Sequence, residues 1–160
     1  MNMLSMKNYN KENMARVLAT NLRISTKYSI EMSNYLRGKT ITRAQYLLDK
    51  VIEKQMAMPV KRFTDGAGHK KGKIGPGKFP QKIALEFKKL LNSITKNAQT
   101  KSIDTNNLEI IHISVNKGRE QYRATRHRGR TMKLTHIEIV AHPKKKEKKS
   151  EDKKWLKDNS

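Results

Sequence analysis

Cysteine is absent from the 160-residue chain, which removes disulfides, thiolate nucleophiles and cysteine-based zinc sites together. Secretion therefore gains no support. No apolar run approaches the roughly 20 residues needed to span a bilayer, and no strongly basic helix carries a broad Trp, Phe and Leu face to lie on one. The N-terminal stretch MNMLSMKNYNKENM is polar and lacks the apolar centre of a signal peptide, so cytoplasmic residence is the expectation. Acids are scarce: 14 Asp and Glu stand against 36 Lys and Arg, for a formal net charge of +22. Self-repulsion at that imbalance opposes a free compact globule, whereas a polyanion turns the same charges into binding energy through counterion release. Nucleic acid is the expected partner, and membrane is not.

With 35% hydrophobic residues, the chain supports a modest core in a single domain. Residues 1–14 read as a flexible polar lead-in, 15–142 as the domain, and 143–160 as a low-complexity basic tail, disordered by composition, which gains order only against a partner. ARVLATNLRI holds a short strand, after which Ser25 stands as N-cap for a helix over TKYSIEMSNYLR that Gly38 ends. Ala44, Leu47, Leu48 and Val51 predict a second helix from about Thr42 to Met56, with Pro59 as its stop. Residues 61–79, rich in Gly and Lys and without a period, read as a long exposed loop. After Pro80, Ile83, Phe87, Leu90, Leu91, Ile94 and Ala98 recur at steps of three and four, the clearest amphipathic helix in the chain. Its other face, with Lys82, Glu86, Lys88, Lys89 and Asn92, reads as solvated.

Two strands with period two follow. Ile111, Ile113 and Val115 alternate with His112 and Ser114, and Ile137, Ile139 and Ala141 alternate with His136 and Glu138, which predicts half-buried strands with helices over the apolar face. The fold class expected is α+β.

Few motifs carry chemistry. GKIGPGKF, Gly72 to Phe79, follows the spacing of a phosphate-binding loop but fails at its end: Phe79 has no hydroxyl for magnesium and Pro76 removes an N–H from the cradle. A flexible loop touching nucleic-acid phosphates through Lys70, Lys71, Lys73 and Lys78 suits it better. His69, His112, His127, His136 and His142 form no HxxxH or HExxH pair; His112 and His136 are candidate cross-strand neighbours, but a structural pair or solvated face outweighs a metal site. No acid–base or nucleophilic constellation stands out, so no catalytic residue, metal, cofactor or small-molecule substrate is assigned.

The connector between the two strands, REQYRATRHRGRTMK, is the most informative stretch. Neither alternate face of the run from Lys117 through Arg119, Arg123, Arg126, Arg128 and Arg130 to Lys133 is apolar enough to lie on a protein core, so the arm projects as a hairpin. Fully extended from Val115 to Arg126, it would reach about 35 Å. Two such strands are marginal in water, whereas arginine's planar fork stabilises them when phosphate surrounds the arm.

RIST at 23–26, YLRGK at 35–39, LLNSITKNAQ in the third helix, NLEIIHISVNKG, RHRGR and THIEIVA together resemble, in order and spacing, the L-twenty-two family of large-subunit ribosomal proteins. The long loop with GKIGPGKFP is similar to the archaeal and eukaryotic branch. The resemblance covers about residues 13–142. It implies three helices packed on a small antiparallel sheet, with a long protruding β-hairpin over about 108–141. It also implies a structural, ribosomal-RNA-binding role in the large subunit, supporting assembly beside neighbouring ribosomal proteins, with the hairpin tip at the nascent-peptide exit tunnel. The tip then falls at Thr125, Arg126, His127, Arg128, Gly129, Arg130 and Thr131, beside the passing nascent peptide; His127 replaces a smaller family residue, and the short MKLTH arm implies a shorter or bulged hairpin. Arg23, Lys27, Arg37 and Lys39 are matching basic positions for RNA backbone contact. The alternatives are a free RNA-binding or RNA-chaperone protein outside the ribosome, and a small RNA-processing enzyme, for which no site is found.

Overall fold

A computed structural model describes residues 6, 8–105, 107–127 and 129–144. The elements run β1 Ala15–Leu22, α1 Thr26–Leu36, α2 Ile41–Ile52, β2 Met58–Pro59, β3 Gly77–Lys78, α3 Gln81–Thr100, β4 Leu108–Lys117, β5 Gln121–Tyr122, β6 Thr131–Met132 and β7 Thr135–Pro143. Three helices cover an antiparallel sheet of order β1-β7-β4, an α+β architecture as expected.

The strand register explains where the core sits. Ala15, Ala141 and Ile110 form one row across the sheet, Val17, Ile139 and Ile113 the next, and Ala19, Ile137 and Val115 a third. These rows face the helices: α3 lies along β1, α1 along β4, and α2 packs on α3. The periodic residues of α3 named from sequence are all buried, and Phe87 is the largest fully buried side chain among the described residues.

Several expectations are corrected. Ile111 is half-buried and outside the core, because the β4–β7 register shifts between Ile110 and His112. This bulge changes which face alternate residues occupy, so Leu108 and Ile110 face the helices before it and Ile113 after it. The linker after α1 meets β4 at the same place: Gly38 donates its N–H to the Ile110 carbonyl at 2.9 Å, and Ile110 returns one to the Lys39 carbonyl at 3.0 Å. The start of the outer β4 edge is thereby paired, with Thr40 bridging Glu109. Gly38 makes this turn with φ of +72°, in the left-handed region that glycine enters without strain.

Glu138 is also buried rather than solvated. The Arg16 guanidinium from β1 meets its carboxylate at 2.6 Å, which compensates its charge. Helix α2 ends at Ile52, four residues short of the expected Met56, and Lys54 turns the chain with φ of +60°. Ser25 occupies the N-cap of α1, but its side chain makes no capping bond. Of the N-terminal lead-in, the described residues reach the end of α3, where Lys101 donates to the Lys11 and Met14 carbonyls at 2.7 and 2.9 Å. The basic tail beyond Lys144 lies outside the described residues.

The 61–79 segment is not simply an exposed loop. β2 and β3 pair at its ends, His69 bridges Pro76, and Gly77 is buried with the Lys70 and Ala57 side chains 2.9 and 3.1 Å from where a Cβ would stand. No helix among the described residues is long and apolar enough to cross a membrane.

Candidate nucleic-acid interface

The β4–β7 ladder leads into the arginine-rich arm, but not as one continuous pair of strands. Lys117 pairs with Thr135, and the Gly118 N–H then reaches the Leu134 carbonyl at 2.8 Å. Leu134 crowds this crossing so closely that a Cβ on residue 118 would stand 2.9 Å from the Leu134 Cβ and 3.1 Å from its backbone. Only glycine fits there without displacement. The ladder resumes at Gln121 with Met132 and Tyr122 with Thr131, after 118–120 on one arm and 133–134 on the other. That mismatch is a bulge, in line with the short return arm. The tip closes through Arg123 N–H to the Arg130 carbonyl at 2.9 Å and Arg130 N–H to the His127 carbonyl at 3.2 Å. The extended reach expected from Val115 to Arg126 thus gives way to two short ladders separated by the bulge.

Thr125, Arg126, His127, Gly129, Arg130 and Thr131 are all exposed, and Arg128 lies outside the described residues. Glu120 ties the arms together. Its carboxylate receives Lys117 Nζ at 2.8 Å and the Thr131 hydroxyl, from the opposite arm, at 3.1 Å. The hydrogen bond from Lys117, followed by that from Thr131, holds the Glu120 carboxyl below its ordinary range.

At the base of the ribbon the fold gathers cations that are far apart in sequence. A cleft of about 600 Å³ is lined by Arg23 from the β1–α1 junction, Lys82 from the first turn of α3, and Arg123 and Lys133 from the two ribbon arms. A neighbouring hollow of about 270 Å³ adds Lys27 and Lys117, sharing Ser25 and Lys133 with the first. All six cations are exposed, and among the described residues Glu120 is the single carboxylate lining either hollow. Lys27 also stands 5.7 Å from the Phe63 ring. Arg119 is exposed beside this group.

The remaining candidate residues divide into free and engaged. Lys71 and Lys73 are exposed on the turn of the 61–79 segment, and Lys70 is exposed with its ammonium 5.7 Å from the Phe79 ring. Lys78 instead ties the segment to α1, donating to the Tyr28 hydroxyl and to the Asp65 carbonyl at 3.2 Å. Arg37 donates to the Ile113 carbonyl at 3.1 Å, and Lys39 lies 5.3 Å from the Tyr35 ring, so both contribute to the fold as well as to surface charge. Burial raises the Tyr35 hydroxyl above its ordinary pKa, offset in part by Arg43.

Glu31 was not legible as a functional residue. Buried on α1, its carboxylate accepts the backbone N–H groups of Lys61, Arg62 and Phe63 at 3.2, 2.6 and 3.0 Å. It fixes the start of the basic segment on the domain. Lys82, read from sequence as part of a solvated face, belongs to the cleft, which the first turn of α3 lines together with Pro80 and the ribbon.

His112 and His136 are not opposite each other: His112 faces Val140, and His136 faces Asn116 while its Nδ1 accepts the Asn21 N–H at 3.1 Å. Among the described residues no group of His, Cys, Asp and Glu could hold a metal ion.

The family model described as Ribosomal protein L22p/L17e matches residues 17–142. The chain is 41% identical over 120 residues to the large ribosomal subunit protein uL22 of Thermoplasma acidophilum, covering 73% of this chain and 79% of the relative. It is 42% identical over 108 residues to the protein of that name from Picrophilus torridus, covering 68% and 71%. With the uL22 of Nanoarchaeum equitans it shares 38% identity over 136 residues, covering 81% and 78%.

Proposed function

The chain belongs to the ribosomal protein L22p/L17e family, and from that premise we propose that it binds large-subunit ribosomal RNA through the ribbon and the cleft at its base, with the ribbon tip at the wall of the nascent-peptide exit tunnel. As a member it is a structural constituent of the large ribosomal subunit and not an enzyme. Its partners are accordingly RNA and other proteins of that subunit.

One observation carries the RNA-binding reading: Arg23, Lys27, Lys82, Lys117, Arg123 and Lys133 converge from four segments on two adjoining hollows that hold a single carboxylate. Such convergence is costly for a free protein, since like charges repel across low-dielectric walls. A phosphodiester backbone lying in the cleft reverses the sign of that term. Each phosphate neutralised releases condensed counterions, giving a log–log salt slope of about −0.7 per contact for single strands and −0.9 for duplex. Six contacts make binding about 10³-fold weaker between roughly 50 and 200 mM salt.

The exposed tip fits the same picture. The described tip residues, Thr125 to His127 and Gly129 to Thr131, offer arginine forks and no large apolar side chain, so the tip finds enthalpic partners in phosphate and base edges rather than in a protein core. Held there, it shapes the passage for a growing peptide without forming a selective pocket. The basic turn with Lys71 and Lys73, fixed on α1 through Glu31, supplies a second RNA contact.

The test is sedimentation of the full chain with large subunits at moderate salt, together with replacement of Arg126, Arg128 and Arg130 by Ala. Stable co-migration, weaker binding to large-subunit RNA and a slope flattened by up to about one unit per lost contact are expected. Migration as a small free species, or an unchanged affinity and slope, would refute the reading. The core should survive the substitution, because the ribbon lies beyond it.

A further inference from the structure

We propose that Tyr122 is a stacking platform for an unpaired nucleobase of the RNA whose phosphates occupy the cleft, a contact that rests on the RNA-binding reading above and adds base contact to it. The chain has five tyrosines. Four of them carry a cation of their own chain over the ring: Lys101 stands 5.7 Å from Tyr9, Lys78 4.7 Å from Tyr28, Lys39 5.3 Å from Tyr35, and Arg43 5.1 Å from Tyr46. Tyr122 has no such cation and no hydrogen bond to its hydroxyl among the described residues. It is 75% exposed, against 48% for Tyr46, the next most exposed large hydrophobic residue recorded.

Its position is defined as well as its exposure. Tyr122 sits on β5 directly opposite Thr131, while Gln121 and Met132 occupy the other ribbon face. Met132 is half-buried and lines the cleft together with Thr131 and Arg123, so Tyr122, between Arg123 and the brace and opposite Thr131, stands at the rim of the cleft rather than in its wall. The Glu120 carboxylate, by joining Lys117 to Thr131, braces the two arms immediately beside the ring. A braced aromatic ring with two side-chain torsions loses little entropy on binding.

The surroundings choose the ligand class. From Lys117 through Lys133 the sequence has seven Lys and Arg and one acid, and Ala124 and Met132 are the remaining apolar side chains beside Tyr122. A protein pocket that took the ring would have to desolvate the adjacent Arg119 and Arg123 with no apolar companion surface in return. A nucleobase offers a π-face for the ring while its own phosphates meet those arginines. Stacking of this kind tolerates any base and adds nothing to the salt slope.

That separation of terms supplies the experiment. The full-length protein and its Tyr122→Phe and Tyr122→Leu variants are titrated with a large-subunit ribosomal RNA transcript at several salt concentrations, with Arg123→Ala as comparator. Tyr122→Leu is expected to weaken binding by about 10-fold to 100-fold with an unchanged slope, Tyr122→Phe to retain wild-type affinity, and Arg123→Ala to flatten the slope. Circular dichroism of each variant should match the wild type. Wild-type affinity for Tyr122→Leu would overturn the stacking contact while leaving the RNA-binding reading intact. So would an equal loss in Tyr122→Phe, which would make the hydroxyl the contact, or intact RNA binding with poor incorporation into subunits, which would make the partner a protein. Failure of the wild-type protein to bind the transcript would instead remove the reading on which the contact rests.

Discussion

Replacing Glu31 by Ala should release the basic segment that follows β2 from the domain. Its carboxylate accepts the N–H groups of Lys61, Arg62 and Phe63, and it is 3% exposed. A hydrogen bond to a charged group contributes about 1.5–3 kcal/mol, so three independent bonds would sum to more than 4 kcal/mol. Two features reduce that figure. Lys61 and Arg62 are exposed, so their N–H groups regain water once the carboxylate is gone, and bonds sharing one acceptor are not additive. A loss of about 2–4 kcal/mol is therefore expected, or about 6–16 °C in Tm for a domain of this length. Glu31→Gln keeps one acceptor but turns an amide NH₂ toward a backbone donor, so it should fall between the wild type and Glu31→Ala. Urea denaturation measures the first quantity. Amide hydrogen exchange locates it: protection should fall at 61–63 first, with the β7 amides reporting only the global change. Unchanged protection at 61–63 in Glu31→Ala would refute the assignment of this carboxylate as the anchor.

Other residues give separate tests. Gly118→Ala should cost about 1–3 kcal/mol and loosen the ribbon base, because a Cβ there meets Leu134 at 2.9 Å; cross-strand nuclear Overhauser effects between 118 and 134 report it. Arg16→Ala leaves the buried Glu138 carboxylate without its guanidinium and should cost about 3–5 kcal/mol in chemical denaturation, whereas exchange of both for apolar residues should be far milder. The Glu120 carboxyl lies below its ordinary value of 4.5 in the folded chain. Its clasp across the ribbon is therefore fully present above that value and is lost as pH falls through the depressed one. The Thr131 hydroxyl and methyl resonances should follow that titration, and Glu120→Gln should abolish it.

Much of the domain was legible because its periodicities are undisturbed. Ile83, Phe87, Leu91, Ile94 and Ala98 keep one helical stripe over about four turns, so burial in α3 follows spacing. Ile137, Ile139 and Ala141 keep one buried sheet face, although Glu138 and Val140 on the other face are buried too. Where a strand departs from period two, spacing misleads. The bulge at Ile111 adjoins the hydrogen bond that Gly38 donates to Ile110, 72 positions later, and no local pattern announces it. The central position of β7 explains Glu138: a strand with neighbours on both sides leaves little room for water, and the compensating charge comes from Arg16 on a different strand.

The candidate interface was legible by type more than by place. A run of arginine between two apolar strands marks an arm with nothing to bury, and its described tip residues are exposed. The cleft beneath it depends on long-range proximity. Lys82 reads as surface charge until α3 is set against the ribbon base, and Tyr122 reads as one more aromatic until its ring is seen to lack the cation the other tyrosines carry. Arg37 and Lys78 show the reverse case, basic residues whose donors also serve the fold.

The most direct measurement is a cryo-electron-microscopy density map of the chain within its assembled large subunit. Residues 119–131 should be enclosed by RNA, with phosphates within hydrogen-bonding distance of Arg123 and Arg130 and the tip at the tunnel wall. A ribbon packed on its own helices, lying against another protein or surrounded by water would contradict the claim that polyanion holds it in place.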